Sequence, residues 1–223
     1  MRTTGLTTRL ASPLLIRRLP PAASDAVLLT FDDGPAPGVT DGVLERLARH
    51  GARSVFCVVG ELVETAPELV RACRAAGHGL GNHSHVHDMS RLPSPSAYLR
   101  DLDRCSAAIR AAAGCTPRWF RAPGGRLHPA SLLGPHRRGM RHLHWSVDPL
   151  DWCCRTPQQA RATARRLAAE IRGRDIVLLH EYDALILDLL DELLPALVAR
   201  GFDLAGGLAA LERRDGSDAG CAA

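Results

Sequence analysis

Short apolar runs alternate with helix-spaced segments about seven times along this chain, a pattern that points to a parallel α/β fold. The runs fall at 26–31, 53–59, 80–83, 118–121, 142–147, 176–180 and 202–205. Between them, 39–50, 94–113, 129–138 and 185–200 carry helical spacing. Thr65-Ala-Pro-Glu68 and Thr156-Pro-Gln-Gln159 read as capping boxes that open helices reaching Ala76 and about Arg172. Gly51, Gly77 and Gly114 stand where helices end. Polar residues collect where the apolar runs stop: Asp32 and Asp33, His83, Arg121, Asp148 and Asp151, and His180. In a barrel of parallel strands those ends converge on one face, and chemistry is sited there.

A chain of 223 residues suits one domain with a full core. Residues 25–211 are expected to form it, with a loose leader at 1–24 and a flexible tail at 212–223. The net charge is only +4, and no basic stripe is interleaved with aromatics, which argues against nucleic acid as a partner. There is no GxGxxG or GxxxxGK[ST] element for a nucleotide. All 28 basic residues are Arg and Asn82 is the sole Asn, as expected from a GC-rich codon bias; the Asn that survives it directly precedes His83. Leu14–Ile16 is too short for a signal-peptide core, and no run approaches a membrane span. A soluble cytoplasmic protein is expected, with weak contact of the Arg-rich start with anionic lipid left open. The seven Cys are odd in number and suggest no disulfide framework, so thiols are expected, in keeping with a reducing compartment. Nothing in the sequence sets an oligomeric state.

Five clusters carry candidate chemistry. In Thr30-Phe-Asp-Asp-Gly-Pro35, a turn at Gly34 lets two carboxylates approach one site, and such a pair calls for a cation; a plain polar turn is the other reading. Asn82-His-Ser-His-Val-His87 places three imidazoles in five residues. Two of them with one carboxylate make a facial metal set that leaves positions open. His83 and His87 have suitable spacing, and His85 stands as a substitute for either. Phe120-Arg-Ala-Pro-Gly-Gly125 offers an Arg that can pair with a carboxylate and a turn that can aim an N–H at an anion. In Trp145-Ser-Val-Asp-Pro-Leu-Asp-Trp152, Trp152 can wall a pocket, whereas Trp145 is expected in the core. Ile176-Val-Leu-Leu-His180 ends a strand in a His that can act as an acid or sit hydrogen-bonded in the core.

Taken in order, TFDDGP, HSxxH, RxP, DxxDW and LxH resemble the five motifs of the polysaccharide deacetylase family, the NodB-homology or carbohydrate esterase 4 group. The likeness spans roughly residues 27–204. It implies a single-domain distorted (β/α) barrel of about seven parallel strands. It also implies a metal-dependent hydrolase that removes an N-acetyl group from an amino sugar, such as a lipid- or nucleotide-linked N-acetylhexosamine or an N-acetylated metabolite. By the resemblance, Asp32 is the general base and Asp33, His83 and His87 are the ligands of one divalent ion. Zinc is the default, and Co2+, Ni2+ or Fe2+ are permitted. Arg121 pairs with Asp32, and Asp151 orients His180, the general acid. Trp152 and Leu178 line the acetyl pocket. Pro123 and Gly124 form the neighbouring substrate wall, with the Gly124 N–H facing the oxyanion. Two departures stand out. Gly124 occupies a position where many members carry Tyr, and Asp88 one where Pro is common, so binding of a long polymer is in doubt. Two other readings stay open: hydrolysis of another linear or cyclic amide or imide, and an inactive, metal-stabilised carbohydrate-binding relative.

Overall fold

The computed structural model describes residues 14–88 and 94–214. Seven strands form one parallel sheet: β1 (Leu15–Ile16), β2 (Leu28–Gly34), β3 (Val55–Val58), β4 (Gly79–Asn82), β5 (Trp119–Phe120), β6 (Arg141–Leu143) and β7 (Ile176–His180). Their order is β1-β6-β5-β4-β3-β2-β7. A single bridge from Val147 to Val177 brings the chain after β6 back to β7, so the curled sheet closes as a distorted barrel. β2 lies between β3 and β7 and is buried from Leu28 to Asp32, which is why it reads as a continuous apolar run.

Eight helices accompany the strands among the described residues: α1 (Thr40–Arg49), α2 (Gly60–Thr65), α3 (Pro67–Ala75), α4 (Pro95–Ala113), α5 (Pro129–His136), α6 (Pro157–Glu170), α7 (Leu185–Ala199) and α8 (Gly206–Arg214). The larger core lies between sheet and helices; Phe31, Phe56 and Leu80 from the strands meet Val43, Leu47, Ile109, Leu189 and Leu193 from the helices. A second cluster joins Leu28, Val55, Cys57, Trp119, Leu143 and Ile176 with Leu208 and Leu211 of α8. Helix α4 is specified locally at both ends. The Ser94 hydroxyl accepts from the Ala97 N–H at 3.2 Å, Pro95 starts the first turn, and Gly114 closes the helix with φ of 67°.

Several expectations are corrected. The run at 202–205 is not a strand: Asp203 makes one bridge to Ala26, then its carboxylate accepts from the Ala205 and Gly206 N–H groups and starts α8. The seventh strand is instead β1, inside the stretch read as a loose leader, where Leu15 and Ile16 pair with His142 and Leu143. Thr65 opens no capping box. It is the last residue of α2, and its hydroxyl donates to the Glu61 carbonyl at 3.0 Å. Thr156 does cap α6, but the Gln159 side chain accepts from the Arg155 N–H rather than that of Thr156, so the box is half formed. Cys57, Cys73, Cys105, Cys153 and Cys154 are thiols, as expected, whereas Cys115 is disulfide-bonded. The redox argument for a cytoplasmic setting therefore loses that residue. No helix among the described residues is long and apolar enough to cross a membrane.

Candidate active site

The ends of β2, β4, β5 and β7 bring five of the singled-out side chains together. β2 ends in Asp32 and Asp33. The Asp32 carboxylate is buried, and the Arg121 guanidinium, just past β5, donates to its Oδ1 at 2.7 Å. Arg121 is itself fully buried, and its other donors reach the carbonyls of Leu143 at 2.9 Å and His144 at 3.2 Å. Burial would lower the guanidinium's pKa, but the Asp32 charge beside it outweighs that, and the group is held cationic.

Asp33 has φ of 69°, a left-handed conformation that turns its carboxylate toward the same side as Asp32. Its Oδ1 lies 3.4 Å from His83 Nε2 and 3.1 Å from His87 Nε2. The ligand atoms of Asp33, His83 and His87 all lie within 4.8 Å of one another, the one such group of three among the described residues. His83 Nδ1 lies 2.9 Å from the Arg121 carbonyl, which can only accept, so Nδ1 carries the proton and Nε2 presents its lone pair to the group. Burial alone would raise the Asp33 carboxyl. The hydrogen bond and charge of His83, with the charges of His87 and His180, bring it down to about 2 instead. Burial depresses His83, yet the Asp32 and Asp33 charges raise it overall, so a cation would displace a proton that these aspartates draw onto the ring. Asp33 Oδ1 is buried with the two imidazole nitrogens beside it, as suits an oxygen that faces a metal ion. Two imidazoles and a carboxylate with open positions fit a zinc-type divalent ion.

His85 does not join this group. It is fully buried against Gly60, with Nε2 3.9 Å from Glu64 on α2. The loop that separates its fate from its neighbours' is held by Asn82 and Asp101. The Asn82 amide donates to Leu102 O and Ser106 Oγ on α4, at 2.8 and 2.9 Å, while its oxygen accepts from the Ser84 N–H at 2.9 Å. Asp101, also on α4, accepts from the Ser84 hydroxyl at 2.6 Å and from the N–H groups of His85 and Val86 at 2.8 and 3.2 Å. These bonds hold Ser84 and His87 at φ of 73° and 54°, which non-glycine residues rarely adopt.

Opposite stands His180 at the end of β7. Asp151, in the single turn Asp151–Cys153, accepts from its backbone N–H at 2.8 Å and lies 3.0 Å from its Nδ1. Burial would lower this imidazole, but the hydrogen bond and charge of Asp151, then the charges of Asp32 and Asp33, raise it to about 9. It can therefore hold a proton at neutral pH, with Nε2 left for the cleft.

A cleft of about 380 Å³ opens above these groups; Asp32, Asp33, His83, His87 and His180 lie in it. Of the expected substrate-binding residues, Gly124, Trp152 and Leu178 line it, whereas Pro123 is buried at the start of the turn Pro123–Gly125 and does not. Trp145, expected in the core, is corrected: it lines the cleft, stacked on His144 with ring centres 3.9 Å apart. Its edge leans on Gly125, where an added Cβ would sit 2.6 Å from Trp145 Cη2. Sequence reasoning also missed Glu181 and Tyr182. Glu181 is buried under the aspartate turn; its N–H donates to Asp32 O at 3.0 Å, and Thr40 donates to its Oε2 at 2.9 Å. Burial, then the nearby aspartate charges, push its carboxyl up to about 8 despite the Thr40 bond. Gly34 is required above it, since a Cβ there would meet Glu181 Oε1 at 1.7 Å.

The sequence and the fold both have relatives among known proteins. The profile of the family described as polysaccharide deacetylase matches residues 20–142. The chain belongs to the polysaccharide deacetylase family. The chitooligosaccharide deacetylase of Bradyrhizobium sp. (strain ANU 289) is 39% identical over 195 residues, covering 80% of this chain and 87% of that one. Among solved structures, a family 4 carbohydrate esterase from Streptomyces lividans in complex with acetate is 28% identical, with a TM-score of 0.72 over 80% of this chain and 91% of that one. The Bc1960 peptidoglycan N-acetylglucosamine deacetylase shares the fold, with a TM-score of 0.80 at 24% identity, covering 90% of this chain and 93% of that chain. Seven parallel strands with accompanying helices are thus the family's barrel.

Proposed function

We propose that this chain hydrolyses the acetamide of an N-acetylated amino sugar, giving acetate and a free amine. The observation that carries this reading is one cleft that holds the Asp32 carboxylate, a group of three ligand side chains and the His180 imidazole paired with Asp151. Membership of the deacetylase family and the likeness to a chitooligosaccharide deacetylase supply the substrate class. In this reading Asp33, His83 and His87 hold one divalent ion, zinc by its preference for such a set. When bound, that ion supplies Lewis acidity to the acetyl carbonyl and to water. Asp32, aimed by Arg121, takes the proton of the attacking water. The Gly124 N–H faces the oxygen on which negative charge develops. His180, oriented and charged by Asp151, passes its proton to the departing nitrogen, because an amine leaves only when protonated. Trp152 and Leu178 enclose the methyl of the acetyl group. Gly124 gives the cleft no side-chain wall on its flank, which favours short amino-sugar substrates over a long polymer held along a groove.

The test is acetate release from N-acetylglucosamine and its short oligomers. Wild-type protein should release it and lose the activity on full removal of divalent ions. Asp32→Asn should keep its ion and lose about a hundred- to ten-thousand-fold in turnover. Acetate release by Asp32→Asn at the wild-type rate, or none from wild type with an ion bound, would refute the assignment.

A further inference from the structure

We propose that Tyr182 forms the wall of the cleft against which the sugar ring of the substrate stacks; this rests on the deacetylase reading above. The chain has only nine aromatic Phe, Tyr and Trp residues by the counts of 4, 2 and 3. Among the described residues the two strongly exposed ones are Trp152, at 46%, and Tyr182, at 48%, and both line this one cleft. Single exposed apolar residues are ordinary, but a chain poor in aromatics that exposes two at one site presents a binding surface.

The chemistry says which part of the substrate each one meets. The ion ligands and Asp32 mark the side of the acetyl carbonyl. His180 delivers its proton to the nitrogen, and that nitrogen is attached to the sugar, so the acid marks the sugar side. The Tyr182 ring centre lies 6.1 Å from that of His180, two residues beyond it on the chain. Its position is fixed without being packed away: the hydroxyl donates to the Trp152 carbonyl at 3.4 Å, tying the phenol to the turn that carries Asp151. With the hydroxyl so engaged, the ring face rather than the hydroxyl is what Tyr182 offers. A pyranose has a face of C–H groups that packs on such a ring, and a tethered ring with two side-chain torsions loses little entropy on binding. The bare Gly124 flank leaves this wall to supply contacts that a side chain there would otherwise provide.

A wall that binds the ring equally before and during reaction changes KM and spares kcat. Kinetics of acetate release from di- and tri-N-acetylchitooligosaccharide should therefore show KM raised about tenfold in Tyr182→Ala, with kcat within about threefold of wild type. Tyr182→Leu, which keeps apolar bulk and loses the ring, should behave as Tyr182→Ala does. Tyr182→Phe should restore KM to within about twofold of wild type, because the ring survives. An unchanged KM in Tyr182→Ala overturns the proposal while the deacetylase reading stands. So does a Phe variant as impaired as Ala, which would assign the role to the hydroxyl tether. A wild-type protein that releases acetate from no amino sugar overturns both.

Discussion

Arg121, fully buried, and His180, half-buried at the cleft, decide what this site can do. Arg121 spends its donors on Asp32 and on the Leu143 and His144 carbonyls, so it belongs at once to the base and to the barrel interior. Arg121→Met should destabilise the fold by about 3–5 kcal/mol, read from denaturant midpoints, because it leaves the buried Asp32 carboxylate unpaired. His180 sits on the other side of the linkage. Its folded-state pKa lies near 9, above the ordinary 6.5, so its charge contributes stability in full below pH 6.5 and loses it as pH rises through about 9. The same titration removes the proton that the leaving amine needs, so kcat/KM should fall on the alkaline side. In Asp151→Asn that limb should move to lower pH, since the Asp151 bond and charge chiefly hold the proton. A bound cation opposes the charges of Asp32 and Asp33 and sets the wild-type limb somewhat below 9, without changing the direction of the Asp151 effect. An alkaline limb unmoved in Asp151→Asn would take His180 out of the acid's role.

At the scale of elements, the His83–His87 loop depends on helix α4. Asp101 ties the Ser84 hydroxyl and two backbone N–H groups into one clamp, and the loop carries two left-handed residues. Asp101→Ala should weaken cation binding by about ten- to a hundred-fold, measured by competition with a chelator, while α4 stays folded. The clamp was not legible in the sequence. Arg100-Asp-Leu-Asp-Arg104 offers two acidic residues on one amphipathic helix, and nothing in the spacing tells the buried Asp101 from the exposed Asp103. β7 and α4 were legible almost to the residue, because a strand buried on both faces and a helix with Ser at one end and Gly at the other carry their own signals. β1 was not, since so short an apolar run as Leu14–Ile16 gains a strand only from the neighbour it pairs with. The count of seven strands came out right although one of the seven was a different segment. Trp145 was misplaced because the strand expected over 142–147 stops at Leu143, so Trp145 lies beyond the sheet. Glu181 and Tyr182 left no trace, as their roles follow from what lies across the turn and not from sequence spacing.

Over the whole molecule, the parallel barrel converts order along the chain into proximity. Asp32, His83, Arg121 and His180 stand at the ends of β2, β4, β5 and β7, and the register of neighbouring strands carries them to one rim. The motif order in the sequence could therefore suggest the site, and the spacing with the resemblance pointed to His83 and His87; the loop's geometry shows why His85 is left out. His85 turns away toward Glu64, and His83 and His87 turn in. The central claim is that Asp33, His83 and His87 hold a single divalent cation beside Asp32. The most direct measurement is the anomalous scattering from a zinc-loaded crystal. One peak is expected, within bonding distance of Asp33, His83 Nε2 and His87 Nε2, kept in His85→Ala and gone in Asp33→Ala. A peak at His85, or none among these three side chains at saturating zinc, would contradict it.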